Sequence, residues 1–393
     1  MKKIFIAVGI VGLALSASCQ NRVVDKFGKG ISVLGKDSTF FLKANTRIQN
    51  RYDFERTENN SSKPENSDRF YVRRTRIKFG GWAFSPKVNF KIEHDLLNGV
   101  TYDAVVKYNF YKKLEIWAGQ TKLPSNRERV ISSQKLQFVD RSILNTIFTL
   151  DRDAGIQLRN KHKIGNAVFK EIIAVSQGEG LNDKKMRSFG HEYTGRIEFL
   201  PMGEFTSKGD YFGSDLKREQ KPKLSIGVTY DYNENQTKSR KVKGQDLYSG
   251  VNVMSMFIDL MYKYKGLSVM GEYANADIDG SRATTGTNNN GTDWIVEDDF
   301  SETIYFQAGE AVNIQAGYLF RNNLEVAGRF SAYKPFNNLE GYDGQNQFTI
   351  GLSKYVVGHS LKVQSDFTLA QTETSGGVYS NDLIFRFQVE LAF

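Results

Sequence analysis

Scattered histidines, closely spaced carboxylates and a long series of arginines and lysines are the residues in this chain that chemistry could use. His94, His162, His191 and His359 stand far apart, without the short spacing of a metal site and without a serine placed to make a catalytic pair, so each reads as a polar strand or turn residue. Glu93/Asp95 and Asp151/Asp153 are two apart and share one face of a strand, where partnering arginine and lysine is the better reading than acid–base catalysis. The run from Gly30 to Asp37 nearly spells a phosphate-binding loop, but Asp37 stands where a Ser or Thr must follow the lysine to hold magnesium, and no helical pattern follows. A barrel enzyme would need a nucleophile or activated water with a positioned base, and no such constellation is visible. No cofactor and no metal are expected.

The basic residues are more informative because of where alternation puts them. Lys43, Arg47, Arg51, Arg74, Arg76, Lys78, Lys87, Lys91, Lys107, Arg196, Arg329, Lys362 and Arg386 fall opposite an apolar stripe. So do the acids Asp53, Glu93, Asp95, Asp103, Glu198, Asp231, Glu325 and Asp366. Two readings stay open: a mixed charge lining, or an excess of cations that replaces the hydration of a passing anion.

The elements that carry these residues are strands. With 35 glycines, 6 prolines, 13% aromatics and mean hydropathy of -0.45, the chain has no room for a bundle of membrane-spanning helices. Period-two alternation recurs instead from end to end. Leu383, Phe385, Phe387, Val389, Leu391 and Phe393 alternate with Ile384, Arg386, Gln388, Glu390 and Ala392, the pattern on which an outer-membrane barrel closes. Turn chemistry places strands near 40–54, 69–84, 87–96, 102–110, 114–122, 153–160, 167–177 and 191–200, then near 222–233, 254–265, 267–278, 311–320, 324–335, 346–357, 361–372 and 381–393. Sixteen is an even number, as a closed antiparallel barrel requires, so the expected fold is an all-β transmembrane barrel of 16 strands. Short turns alternate with long polar loops over 55–68, 123–152, 178–190, 234–253, 279–310 and 373–380, and one connector, 201–221, is long where a short periplasmic turn is due.

Ahead of the barrel, Lys2 and Lys3, the apolar run Ile4 to Leu15 and small residues before Cys19 describe an export signal over 1–19. Cleavage after Cys19 and lipidation of Cys19 are the alternatives, and Ser16 fits a lipoprotein box poorly. Losing Lys2 and Lys3 takes the formal charge from +9 to +7. Beyond Cys19 there is no cysteine, so disulfides do not stabilise the exported domain. Residues 20–38 read as a periplasmic leader and 39–393 as one barrel domain.

The segment 123–152 between the fifth and sixth strands is unusual for a loop. It carries Arg127, Arg129, Lys135, Arg141 and Arg152, and also Ile131, Leu136, Phe138, Ile143, Leu144, Ile147 and Phe148. So apolar a stretch should not lie in water. It either folds inward as a constriction or packs outside on its neighbours or on another protomer.

The motifs Arg73-Arg74-Thr75-Arg76-Ile77-Lys78-Phe79, Gly119-Gln120-Thr121-Lys122-Leu123-Pro124, Asn126-Arg127-Glu128-Arg129-Val130 and Leu136-Gln137-Phe138-Val139-Asp140-Arg141-Ser142, with Asp151-Arg152-Asp153, Ser176-Gln177-Gly178-Glu179-Gly180 and Lys208-Gly209-Asp210-Tyr211, resemble the phosphate-selective porin O and P family. The resemblance runs from about Thr39 to Phe393. It implies a homotrimeric channel in the outer membrane of a Gram-negative bacterium, passing phosphate or polyphosphate by passive diffusion, with an inward loop narrowing the pore. It carries an anion-path role to Arg74, Arg76, Arg127, Arg129 and Arg141. Facing adds Arg47, Lys78, Lys91, Arg196 and Arg329 as further lumenal candidates. Partners would be small anions, outer-membrane lipids and the barrel assembly machinery acting on the strand that ends in Phe393, with no nucleic acid. A general or differently selective porin, and a barrel enzyme or structural barrel, are the alternatives.

Overall fold

The computed structural model describes residues 22–25, 27–58, 64–183, 190–241, 243–280, 282–286, 302–336, 342–373 and 379–393. The expected signal 1–19 lies outside them. Sixteen barrel strands follow one another: β1 (Phe40–Thr57), β2 (Glu65–Ala83), β3 (Ser85–Asp95), β4 (Val100–Tyr111), β5 (Leu114–Lys122), β6 (Arg152–Ile164), β7 (Ala167–Ser176) and β8 (Glu192–Leu200). The second eight are β9 (Lys223–Arg240), β10 (Lys243–Tyr264), β11 (Leu267–Ile278), β12 (Gly309–Leu319), β13 (Leu324–Pro335), β14 (Gln345–Val357), β15 (Leu361–Glu373) and β16 (Tyr379–Ala392). Each pairs antiparallel with the next, and β16 returns to β1 with Ala392 opposite Arg47 and Leu383 opposite Arg56. The sheet is therefore a closed antiparallel barrel with few helices.

Closure follows from the solvent the strands face. On β14, Phe348, Ile350 and Leu352 are 47%, 69% and 46% exposed, while Thr349 and Ser353 are buried. The apolar residues point outward and the polar ones inward, the reverse of a soluble sandwich. In hydrocarbon an unpaired backbone N–H or C=O costs several kcal/mol, so a ring without edges is the stable solution.

At one rim the strands are joined by Phe84, 112–113, 165–166, 265–266, 320–323 and 358–360, the short turns that face the periplasm in barrels of this kind. The connector 201–222 is the long exception there. At the other rim the expected loop over 234–253 proves to be an extension of the β9–β10 hairpin, with register shifts past Asn233. Its Gln236, Ser239 and Lys241 are buried against other polar groups, as where Lys241 donates to Asp231 at 3.0 Å, so polarity there does not mark a loop. Ahead of β1, residues 22–25 pair with 31–34, and 31–34 pair with 41–44 of β1. The near phosphate-loop run is thus a strand and a turn.

Candidate functional site

Lys122 ends β5 and Arg152 opens β6, and between them the chain makes two short helices, Arg127–Val130 and Ile143–Ile147. The second starts at Ser142, whose hydroxyl accepts from Asn145 N at 3.4 Å. The Glu128 carboxylate ties the two helices together by accepting from the Ser142 hydroxyl at 2.7 Å and from Asn145 Nδ2 at 2.5 Å. Leu123, Ile143, Leu144, Ile147, Phe148 and Leu150 pack as one cluster with Val253, Phe257, Ala274, Ala276, Phe306 and Tyr333. Burying six such side chains supplies roughly 1.5–3 kcal/mol each of hydrophobic stabilisation.

Polar contacts then run from this segment to one strand after another. Arg127 meets Glu198 of β8 at 3.3 Å, Ser225 of β9 at 2.9 Å and Asp259 of β10 at 3.2 Å. Asn126 donates to Glu272 of β11 at 3.0 Å. Gln137 accepts from Gln315 of β12 at 2.9 Å and donates to Glu325 of β13 at 2.8 Å. Its carbonyl accepts from Ser353 of β14 and Gln364 of β15. Asp140 lies 3.9 Å from Arg386 of β16 and accepts from Arg51 of β1 at 2.5 Å. Burial alone would raise the Asp140 carboxyl, but Arg51, with Arg386 and Arg74 beyond, holds it below the usual carboxylate range.

This list leaves out β2 to β7, of which β5 and β6 flank the segment, and beside β2 to β4 lies a cavity of about 740 Å³. Twelve of its lining side chains are Arg or Lys and four are Asp or Glu. Of the anion-path and further lumenal candidates named from sequence it gathers Arg74, Arg76, Lys78, Lys91, Arg129, Arg141 and Arg329, and it adds Lys135, Arg152 and Arg386. Arg47, Arg127 and Arg196 stand elsewhere. Arg47 pairs with Glu390 at 3.2 Å, and Arg196 with Asp259 at 2.7 Å. Arg127, fully buried, holds the segment to β8, β9 and β10 and does not line the cavity. The acid pairs divide: Glu93 and Asp95 both accept from Arg76, at 3.0 and 3.1 Å, and Asp151 pairs with Arg129 and Arg152. Asp153 instead accepts from the backbone N–H of Gly178 and Ala154.

Several cavity cations are held by neutral acceptors. Arg74 donates to Gln49 Oε1 at 2.5 Å, Lys122 to the carbonyls of Arg129 and Ile131 at 2.7 and 3.0 Å, and Arg141 to those of Glu128 and Ile131 at 3.1 and 2.8 Å. These bonds fix the position of each charge without cancelling it.

Two lining residues escaped the period-two count, Arg73 and Tyr102. Both sit at bulges. Gln49 and Asn50 of β1 pair with Arg74 and Val72, leaving Arg73 as the extra residue. Glu93 and His94 of β3 pair with Asp103 and Thr101, leaving Tyr102 extra. A bulge re-aims the unpaired residue, so strict alternation sends it to the wrong face. The Tyr102 ring lies 3.9 Å from the Arg76 guanidinium carbon and 4.9 Å from that of Arg152, so it packs two like charges side by side. The doublet Arg73-Arg74 was the available signal for the first of these, since two arginines in succession cannot both keep the alternation.

In sequence, residues 43–391 match the phosphate-selective porin O and P family. The chain belongs to that family. This porin has no match among curated proteins. Its fold is similar to the outer-membrane channel DcaP of Acinetobacter baumannii, with TM-score 0.55 and 13% identity over 91% of this chain and 98% of that one. It is similar also to the anion-selective porin from Comamonas acidovorans, with TM-score 0.55 and 10% identity over 90% and 99%. Likeness at such low identity speaks for the fold alone. The family and the barrel together make this porin a channel protein of the Gram-negative outer membrane.

Proposed function

We propose that this porin passes small anions, phosphate first, by passive diffusion past the cavity beside β2 to β4, and that segment 123–151 folds into the lumen and narrows it. The observation that carries the reading is the excess of twelve cations over four carboxylates around one cavity, with Arg74, Lys122 and Arg141 held by neutral acceptors. Hydrogen bonds from the segment to strands on many sides of the barrel support the inward course. A fixed row of guanidinium and ammonium groups substitutes for the water a phosphate sheds on entering. Salt screens this field, because the Debye length shrinks from about 10 Å at 0.1 M to about 3 Å at 1 M.

A weakly selective porin is favoured by one specific feature, the capture of Arg76 by Glu93 and Asp95 and of Arg152 by Asp103. The reversal potential across a planar bilayer in a low-salt chloride gradient separates the two, together with block of chloride current by added phosphate. Anion preference with phosphate block is expected; cation preference overturns the anion path. Export with removal of 1–19, assembly through the strand ending in Phe393 and trimerisation complete the proposed course of the protein.

A further inference from the structure

The connector 201–222 is far longer than the two to five residues that a β-hairpin needs, and it does not hang free. Phe205, Gly209, Asp210, Ser214, Asp215 and Glu219 are buried. Lys263 of β10, itself 1% exposed, donates to the carbonyls of Gly209, Phe212 and Ser214 at 2.9, 2.8 and 2.7 Å. Three backbone acceptors thus converge on one buried ammonium, a clamp that no exposed turn requires. Ser207 and Lys208 are held in the left-handed region, at φ 55° and 59°, a conformation that persists in side-chain-bearing residues only where the surroundings over-determine it.

The connector also travels. It leaves β8 and enters β9, yet its Ser214 hydroxyl donates to Glu325 of β13 at 2.5 Å. Phe212 lies 5.4 Å from the ring of His359, in the turn between β14 and β15. From β8 to β14 is six strands round a ring of sixteen, most of the way to the opposite wall. On the way it meets segment 123–151: Gly213 N donates to Lys135 O at 2.8 Å, and Arg127 donates to Asp210 O at 3.4 Å. A Cβ on Gly213 would stand 2.6 Å from Gln137 N, so only glycine allows this approach.

We propose that the 201–222 connector is a second filter of the pore, clamped across its short-turn end by Lys263, and that it sets the upper size of solute separately from the cavity that attracts anions. In this arrangement Lys263 is a positioning residue, not a contact of the solute. The inference rests on the reading of the basic cavity as the ion path, and the test keeps the two apart.

Three variants of the full porin are compared in planar bilayers and in liposome swelling with neutral sugars: Lys263→Met, replacement of 203–221 by Asn-Gly, and Lys208→Cys. For the first two the expected result is a single-channel conductance raised about two-fold for the replacement and less for Lys263→Met, entry of larger sugars, and phosphate block unchanged. The cysteine variant covers the case in which the replacement fails to assemble, since the exported domain has no other cysteine. A bulky thiol reagent added from the short-turn side should cut its conductance, whereas the same reagent on Asn322→Cys, in the turn 320–323 of the same rim, should not. Conductance and sugar cut-off that stay at the parent values in Lys263→Met, together with an unchanged replacement variant or an unchanged current in thiol-treated Lys208→Cys, overturn the filter. So does a loss of phosphate block without any change in cut-off. A widened cut-off in a porin whose phosphate block also ignores Arg74→Gln upholds the filter and instead removes the cavity as the ion path.

Discussion

Strands β8 to β13 and strands β2 to β4 carry the same alternation of outward apolar and inward polar residues, yet their inner faces end in opposite electrical states. Along β8 to β13 the inward carboxylates Glu198, Asp259, Glu272 and Glu325 are taken up by Arg127, Arg196, Asn126 and Gln137. Along β2 to β4 the inward residues face open volume, and cations outnumber acids. Net charge read from sequence could not tell these faces apart. What separates them is whether a partner arrives from elsewhere in the chain, and on the first side the partner is segment 123–151.

The sharpest way to break this comparison is to remove a cation from each side. Arg127→Met should cost about 3–5 kcal/mol, because Glu198 and Asp259 lose a buried partner, and the loss should appear as a lower urea midpoint of the folded barrel. An unchanged midpoint would mean that the packed side does not depend on its ion pairs. Phe148→Ala follows at about 3 kcal/mol, from the lost contact with Tyr333 at 5.9 Å and the cavity left behind, and it should also make the single-channel current noisier.

On the open side stability should barely move while selectivity does. Arg141→Glu should weaken phosphate block roughly tenfold, about the loss of one charge-assisted hydrogen bond of 1.5 kcal/mol. Arg282→Glu, at a residue paired with Asp277 at 2.8 Å and away from the cavity, should leave the block as it was. Equal effects at 141 and 282 would take the segment out of the ion path. Arg141 donates to the carbonyls of Glu128 and Ile131, so neutral Arg141→Gln should loosen the segment and raise conductance.

The smallest effect concerns pH. Burial first, then Lys362, Lys135 and Lys263, hold the His359 imidazole well below its ordinary value of 6.5. Undocked, it would titrate near 6.5; docked against Phe212 it stays neutral at lower pH. The docked connector therefore loses stability as pH falls below about 6.5, because only the undocked form gains the proton. Chloride conductance should become slightly more variable between pH 7 and 5, and His359→Phe should remove that dependence.

Most of the barrel was legible because period two repeats sixteen times and turns punctuate it. The unusual character of 123–152 was legible from its apolar content. Arg127 was not, because its partners Glu198 and Asp259 lie 71 and 132 residues further on, and no local pattern joins them. Arg73 and Tyr102 were lost to single-residue bulges, which period counting cannot detect. The 234–253 stretch reads as a loop in sequence because it is polar, whereas Gln236, Ser239 and Lys241 are buried among polar groups, where hydrophilicity no longer means solvent.

The small hairpin ahead of β1 bears on the order of assembly. The last strand lies against the first from Arg47 to Arg56, and residues 31–34 occupy the neighbouring stretch of the same edge, 41–44. Two different parts of the polypeptide therefore share one seam, and the backbone edge of β1 is paired along 41–56 only when both are seated. A nascent barrel whose leader has been clipped would close everywhere except there, leaving an unsealed hem of backbone donors and acceptors as a template for another strand.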